Sequence, residues 1–231
     1  MLKYISVKNT QQLQAVRESG AADVLICGFI PKGLFSGEEN FLLSLPDVLR
    51  ERRIENIKKM LLSAKAVIIH NIDEIGLLRE HGYQGDVIGG ELLYAYNSEA
   101  VRFYRRVFPQ MRFIAPAELT DAEMLKLEHS AGIRFIYKVY GRQKLMTTAQ
   151  YLNGSFRNEK GGGFAAIYDG VNECSEIYSA VPVSMLERPK EWSGRDILLE
   201  FTTEGPEEIR NILFSGSTEK YTRGHHYKGI D

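Results

Sequence analysis

The chain has 231 residues, of which 44% are hydrophobic and 26% charged, and its formal net charge is -1. This composition is typical of a folded domain with a sizeable core, and it excludes an intrinsically disordered chain. The near-zero net charge also excludes an overall electrostatic field that attracts nucleic acid. Local basic clusters remain as candidate contacts with nucleic acid. The chain has two cysteines, no apolar run of membrane-spanning length and no leader-like start, which together predict a reduced, cytoplasmic protein with no membrane partner.

The first part of the chain alternates short apolar segments with helical patterns. Strands are predicted to begin at Lys3, Asp23 and Phe41. A helix follows Asn9, whose side chain suits an N-cap, and a half-buried helix is predicted within 50–64. These elements indicate an α/β protein.

The alternation becomes regular after residue 64. Four further strands are predicted to begin at Lys65, Asp86, Met111 and Arg134. Helices separate them, and the last of these helices begins with Thr120 and Glu123 at the spacing of a capping box. An eighth strand is predicted to begin at Asp196, before a final helix.

Eight strands with intervening helices predict a TIM-like (β/α)8 barrel that forms a single domain over residues 1–231. Residues 150–186 are predicted to be a hairpin insertion after the seventh strand, and 217–231 a polar C-terminal tail. An open doubly wound sheet is the alternative. It requires a glycine-rich phosphate turn near the first strand, and the sequence has none there.

The loops that follow the strands of such a barrel gather at one end and carry most sites. The polar candidates at these positions are His70, Asn71, Glu91, Asn97, Glu118, Arg142 and Glu200. Structural roles remain open, since His70 and Asn97 suit helix caps and Glu118 precedes a helix N-terminus. Glu91 and Glu118 follow successive strands, so an acid/base pair is one hypothesis.

Two further stretches combine cationic and aromatic residues. The predicted seventh strand ends at Gly141 and is followed by Arg142, Lys144 and Met146, in either a site or a surface hairpin. The tail carries Arg223, His225, His226, Tyr227 and Lys228 between glycines. Such side chains suit stacking on a base while pairing with phosphate, although a disordered tail remains the alternative. HExxH, CxxC and GxSxG motifs are absent from the sequence.

Several segments, taken in chain order, resemble one known family. They are AADVLICG, FLLSLPDVLR, NIDEIGLLREHGY, LLYAYNSEA, APAELT, VYGRQKLM and YTRGHHYKG. Together they are similar to the C-terminal part of large proteins in the collagenase-like U32 peptidase family. The enzymatic hypothesis places four catalytic residues at the barrel mouth, Glu118, Asn97, Arg142 and His225. The substrate-binding residues are then His70, Asn71, Glu91, Lys144, Met146, Arg223, His226, Tyr227 and Lys228.

Branches of this family resemble proteins of RNA or quinone hydroxylation, often with an iron-sulfur cluster held by four cysteines. Here Cys174 alone matches a ligand position, Tyr151 stands where the family has another cysteine, and Lys144 replaces a proline. One cysteine cannot hold the cluster, so we expect no metal and no cofactor. The resemblance therefore predicts a shortened, cluster-free accessory protein that binds RNA or a partner. The alternative is an active enzyme, either a peptidase or an RNA nucleoside hydroxylation protein, with an RNA or peptide substrate and a companion family protein.

Overall fold

The computed structural model describes residues 1–29, 40–159, 161–170, 172–218 and 220–227. Within these ranges it contains thirteen strands and seven α-helices. The first eleven elements are β1 Lys3–Val7, α1 Thr10–Ser19, β2 Val24–Cys27, β3 Phe41–Ser44, α2 Ile54–Leu61, β4 Ala66–Ile69, α3 Ile72–Glu80, β5 Asp86–Gly89, α4 Ser98–Val107, β6 Arg112–Phe113 and α5 Asp121–Ala131. The remaining nine are β7 Tyr137–Gly141, β8 Lys144–Thr148, β9 Gly154–Arg157, β10 Gly163–Asp169, β11 Cys174–Ser179, β12 Val183–Ser184, α6 Pro189–Trp192, β13 Ile197–Glu200 and α7 Pro206–Ser215.

The larger sheet has nine strands in the order β12-β7-β13-β1-β2-β3-β4-β5-β6. Every neighbouring pair is parallel except β12 with β7. Its strands are apolar on both faces, because one face packs under the helices and the other closes around a small inner cluster. That inner cluster consists of Tyr4, Val24, Ile26, Leu42, Ile68, Ile88, Ile114, Ile136 and Leu198.

The prediction of a closed TIM-like (β/α)8 barrel is wrong. The sheet is a curled, mostly parallel half-barrel, in which β6 and β7 are not paired as a strand ladder. A single parallel bridge, Ile114 with Ile136, joins them, and the amide of Ile136 donates to the carbonyl of Phe113 at 2.8 Å. β6 is only two residues long and Pro116 follows it closely. Because proline has no amide hydrogen to donate, the ladder does not extend along this join.

The individual strands are nevertheless where the sequence predicts them. Each of the eight predicted starts lies within three residues of an observed strand, and the largest difference is between Arg134 and Tyr137. Cap residues also set the helices as predicted. The side chain of Asn9 accepts from the amide of Gln12, and Thr120 forms the expected capping box. Short apolar runs and cap pairs are local signals, which is why they identify these elements.

Residues 150–186 do not form a simple hairpin inserted after the seventh strand. They contribute to a second, four-stranded antiparallel sheet in the order β8-β11-β10-β9, which begins already at Lys144. Arg142 fastens this sheet to the larger one, since its Nε donates to Thr203 Oγ1 at 2.9 Å and its Nη1 donates to the carbonyl of Ser179 at 3.2 Å. The second sheet therefore lies against the end of the larger sheet at which Glu200 is found, and Lys144 of β8 lines the same cavity as Glu200.

The described part of the tail lies against the protein. Thr222 donates its amide to the carbonyl of Pro182 at 2.9 Å and accepts from the amide of Ser184 at 3.0 Å. The tail thus extends the short β12 region, and Lys228 lies outside the described residues. Among the helices in the described ranges, none has the length and apolar character needed to cross a membrane.

Candidate functional site

The carboxyl ends of the parallel strands and the second sheet enclose a cavity of about 420 Å³, which we call the charged cleft. Its lining includes Lys8, Ser44, Asp47, His70, Lys144, Glu176 and Glu200. Lys8 follows β1, Asp47 follows β3 and His70 follows β4, so the strand ends bring these side chains together. This is the edge of a parallel sheet at which ligand sites are commonly found.

Four side chains in the cleft form a row of alternating charge. Lys8 Nζ lies 2.8 Å from Glu176 Oε2, and Lys144 Nζ lies 2.6 Å from Glu176 Oε1. Lys144 Nζ also lies 2.7 Å from Asp47 Oδ2. The same Asp47 oxygen accepts from Thr147 Oγ1 at 3.1 Å. The row joins the larger sheet to the second sheet by ionic contacts.

The charges in this row reinforce one another. Burial acts to lower the pKa of Lys8, but the carboxylates of Glu176 and Glu200 outweigh it and raise that pKa above its ordinary value. Burial likewise opposes the charge on Glu176, yet Lys8 and Lys144 hold its pKa far below the usual range. At neutral pH the two lysines are therefore fixed cations, which excludes a role as amine nucleophiles.

A second ionic group lies beside the first. Lys138 Nζ is 3.1 Å from both carboxylate oxygens of Glu91 and 2.8 Å from Glu200 Oε2. Burial raises the pKa of Glu91 in spite of Lys138, whereas Lys138 and Lys8 lower the pKa of Glu200 against the effect of burial. Glu91 and Glu200 contact the same ammonium group, yet the pKa of one is raised and the pKa of the other is lowered. Such a difference is typical of a pair in which one carboxyl group acts as an acid and the other as a base.

One carboxylate oxygen of Glu91, Oε1, is buried and accepts no hydrogen bond from any residue that the structure describes. Its contact with Lys138 Nζ at 3.1 Å is ionic only. Together with Glu118, Glu91 lines a small cavity of about 70 Å³ that shares His70, Lys144 and Glu200 with the charged cleft. Glu118 accepts a hydrogen bond from the hydroxyl of Tyr96. The two predicted acid/base residues therefore line one cavity, but the ionic contacts of Glu91 are with Lys138.

His70 forms a side-chain pair with a serine. Its Nε2 lies 2.9 Å from Ser44 Oγ. Burial lowers the pKa of His70 to about 4, although Asp47 acts in the opposite direction, so the ring is neutral at physiological pH. Asn71 takes the structural alternative as the N-cap of α3, where its side chain accepts from the amide of Glu74 at 3.1 Å.

Three of the predicted site residues serve the scaffold or lie at its surface. Asn97 caps α4 by accepting from the amide of Ala100 at 2.9 Å, and it is exposed. Arg142 fastens the second sheet, as described above. Met146 is 52% exposed on β8. Glu118 and His225 line different small cavities, so the structure does not gather the four predicted catalytic residues around one space.

The described tail residues make contacts within the chain. Arg223 donates to the carbonyl of Ser184 at 2.6 Å and pairs with Glu187 at 3.0 Å. Tyr227 donates its hydroxyl to Glu191 at 2.6 Å.

His226 anchors the tail to the start of α5. Its Nδ1 lies 2.8 Å from Asp121 Oδ1 and 3.0 Å from the hydroxyl of Tyr137. His225 lines a cavity of about 40 Å³ together with Glu91 and Lys138. The tail therefore packs close to the predicted seventh strand and uses its polar groups to do so.

Sequence reasoning missed four residues of the ionic groups. Lys8 directly follows β1 and Asp47 comes three residues after the end of β3, so the rule that finds His70 and Glu91 also applies to them. Lys138 is the one cation inside the apolar strand β7. Glu176 alone gives no local signal, since its pairing with Lys8 spans 168 positions of the chain.

Cys174 lines the charged cleft and is buried, and burial raises the pKa of its thiol. Cys27 is fully buried on β2. Across the described ranges there is no group of three or more His, Cys, Asp or Glu side chains arranged to hold a metal ion. The expected lack of an iron-sulfur cluster stays a prediction.

A curled parallel sheet with a polar cavity at its carboxyl edge defines an α/β protein with a ligand-sized cleft. No protein-family model matches the chain, and no curated protein matches it. Among solved structures, the spore cortex-lytic enzyme SleL of Bacillus cereus is 10% identical with a TM-score of 0.43, and the match covers 96% of this chain and 75% of that one. SleL of Bacillus megaterium QM B1551 is 12% identical with a TM-score of 0.36, at the same coverage. A likeness this weak identifies no activity, and the resemblance to the U32 family stays a prediction.

Proposed function

We propose that the chain is a binding protein that holds a segment of polypeptide in the charged cleft, as a shortened, cluster-free relative of the collagenase-like U32 proteins. The observation that carries this proposal is the row of alternating charges formed by Lys8, Glu176, Lys144 and Asp47. The volume of the charged cleft, about 420 Å³, is within the ordinary size range of ligand cavities.

The balance of charge favours a peptide over RNA. Each cation of the row lies against a carboxylate, so a phosphate chain would meet Asp47 and Glu176 together with the lysines. A peptide carries little net charge, and its amide and carbonyl groups supply donors and acceptors that match a surface of both signs. The cation Arg223, which sequence reasoning assigned to RNA, is paired with Glu187. These contacts support a peptide partner.

A binding experiment with a matched pair of variants tests the proposal. Wild-type protein is titrated with a mixture of short random peptides and, separately, with single-stranded oligoribonucleotides, followed by calorimetry. Asp47→Asn removes one charge of the row while keeping its shape, and Asp73→Asn makes the same change at an exposed position on α3. We expect peptide binding that Asp47→Asn weakens about tenfold, a loss of roughly 1.4 kcal/mol, and that Asp73→Asn leaves unchanged. Binding of RNA alone, or equal peptide affinity in both variants, would refute the proposal.

The contact between Ser44 and His70 favours a second candidate, hydrolysis of a peptide through a serine nucleophile. A base next to a serine is the minimum for this chemistry. Against it, the pKa of His70 near 4 makes the ring a weak base at neutral pH. Labelling by a fluorophosphonate probe decides between the two functions. The binding role predicts no labelling, whereas labelling of the wild type that Ser44→Ala abolishes would establish the hydrolase.

A further inference from the structure

The opposite end of the larger sheet, where its strands begin, carries a second cavity of about 350 Å³. Four arginines from separate segments line it, Arg105 of α4, Arg112 of β6, Arg134 before β7 and Arg195 before β13. Asp196 is the acidic residue in the lining. We call this cavity the arginine pocket. Its strong positive bias contrasts with the balanced charges of the cleft at the other end.

Two of the four arginines are held in place by carboxylates. Arg112 donates from Nη1 to the hydroxyl of Tyr4 at 2.6 Å and from Nη2 to Asp196. Arg195 makes a two-point contact with Glu128, at 2.8 Å and 3.1 Å. A guanidinium group carries five N–H donors, so these contacts orient the group and leave donors for a ligand.

The other two arginines are much less occupied. Arg134 is exposed and makes no hydrogen bond or ion pair within the ranges that the structure describes. Arg105 donates its Nε to the carbonyl of Pro109 at 3.0 Å. The four guanidinium groups thus have two carboxylate partners among the described residues, Asp196 in the lining and Glu128 outside it, which leaves an excess of two positive charges.

We propose that the arginine pocket binds the phosphate group of a phosphate ester. A phosphate carries nearly two negative charges at neutral pH and presents several acceptor oxygens, which matches the excess charge and the free donors. Arginine pairs with phosphate through two parallel hydrogen bonds, whereas a lysine-rich surface offers only point charges. The pocket lies at the other end of the sheet from the charged cleft, so it is a separate site.

Titration calorimetry with pyrophosphate as the probe tests the proposal. The test variant is Arg134→Ala, because the Arg134 side chain is exposed and makes no hydrogen bond or ion pair with any residue that the structure describes. The control is Arg106→Ala, because Arg106 is an exposed arginine of the same helix as Arg105 and is not part of the lining. We expect the wild type and Arg106→Ala to bind alike, and Arg134→Ala to bind about five- to tenfold more weakly. Absence of wild-type binding at about 10 mM pyrophosphate, or equal affinity of the two variants, would overturn the proposal.

Two further titrations identify the source of the phosphate. A nucleoside triphosphate and a short single-stranded oligoribonucleotide are compared, each with the wild type and with Arg134→Ala. Preference for the nucleotide indicates a small-molecule ligand, and preference for the oligomer indicates phosphates of an RNA chain. In either case Arg134→Ala must bind the ligand more weakly than the wild type does. The affinity of the wild type must also fall as the salt concentration rises. A ligand whose affinity does not depend on Arg134 would count against the site.

Discussion

Replacing Lys138 by Met is the sharpest test of the buried ionic group. The ammonium group lies 3.1 Å from Glu91 and 2.8 Å from Glu200, and the Lys138 side chain is only 12% exposed. Methionine keeps most of the length and apolar character of lysine but leaves two carboxyl groups, each 21% exposed, without their shared cation. Removing one partner of a buried ion pair typically costs about 3–5 kcal/mol of unfolding free energy.

The lower end of that range applies here. The pKa of Glu91 is already raised, so this carboxyl group takes up a proton readily once the ammonium group is gone. A loss of about 3 kcal/mol in a chain of this length corresponds to a fall in melting temperature of roughly 6–12 °C. Adding Glu91→Gln to Lys138→Met should restore part of the lost unfolding free energy, because the second change removes one of the two carboxyl groups that have lost their cation.

Thermal unfolding followed by circular dichroism at pH 7 and pH 5 measures these effects. Without Lys138 the pKa of Glu91 rises further and the pKa of Glu200 is no longer lowered by the ammonium group, so the loss of stability in Lys138→Met should be smaller at pH 5. Lys59→Met, at an exposed position of α2, is the control and should change stability by less than about 0.5 kcal/mol. A melting temperature of Lys138→Met within about 2 °C of the wild type at pH 7 would refute the reasoning.

Three further predictions concern other buried or anchored groups. Burial raises the pKa of Glu74 to about 8, so the folded state keeps a proton that the unfolded state loses, and stability should fall as pH rises from about 5 to 8. Urea unfolding of Glu74→Gln should show a flatter dependence over that range; an unchanged slope would contradict this. Glu176→Gln should cost about 3–5 kcal/mol at pH 7, because Lys8 and Lys144 lose their shared anion. The difference in unfolding free energy between Glu176→Gln and the wild type should become smaller below the ordinary glutamate pKa. The reason is that the lowered pKa of Glu176 stabilises the wild-type fold only above that pH. His226→Ala should release the tail, so limited trypsin digestion should cut there faster than in the wild type, with equal rates counting against the anchor.

The elements of the fold follow from local sequence, but its closure does not. Apolar runs of four or five residues and cap pairs such as Thr120 with Glu123 are local, and they locate the strands and helices well. Whether β6 forms a ladder with β7 depends on the length of β6 and on Pro116. Counting strands cannot reveal this, so the count of eight led to a closed barrel where the sheet is a half-barrel.

The site shows the same division between local and distant information. His70, Glu91 and Lys144 lie at the predicted end of the sheet because strand ends are readable from the sequence. Glu176 gives no local signal, and although Lys138 stands out as the one cation of β7, its pairing with Glu91 across 47 positions is not readable from the sequence. The RNA-binding role of the tail stays a prediction. Its composition suits RNA, yet Arg223 is paired with Glu187, which no local pattern indicates.

The narrow join at Ile114 and Ile136 has a consequence for how the protein moves. A strand ladder holds two edges by many hydrogen bonds, whereas this join depends on one bridge and its neighbouring amides. The contact between Glu91 and Lys138 crosses the same region, from the loop after β5 to β7. The protonation state of Glu91 therefore helps to set how firmly β6 and β7 are held together. Amide hydrogen exchange at Ile136 should become faster when the contact between Glu91 and Lys138 is removed.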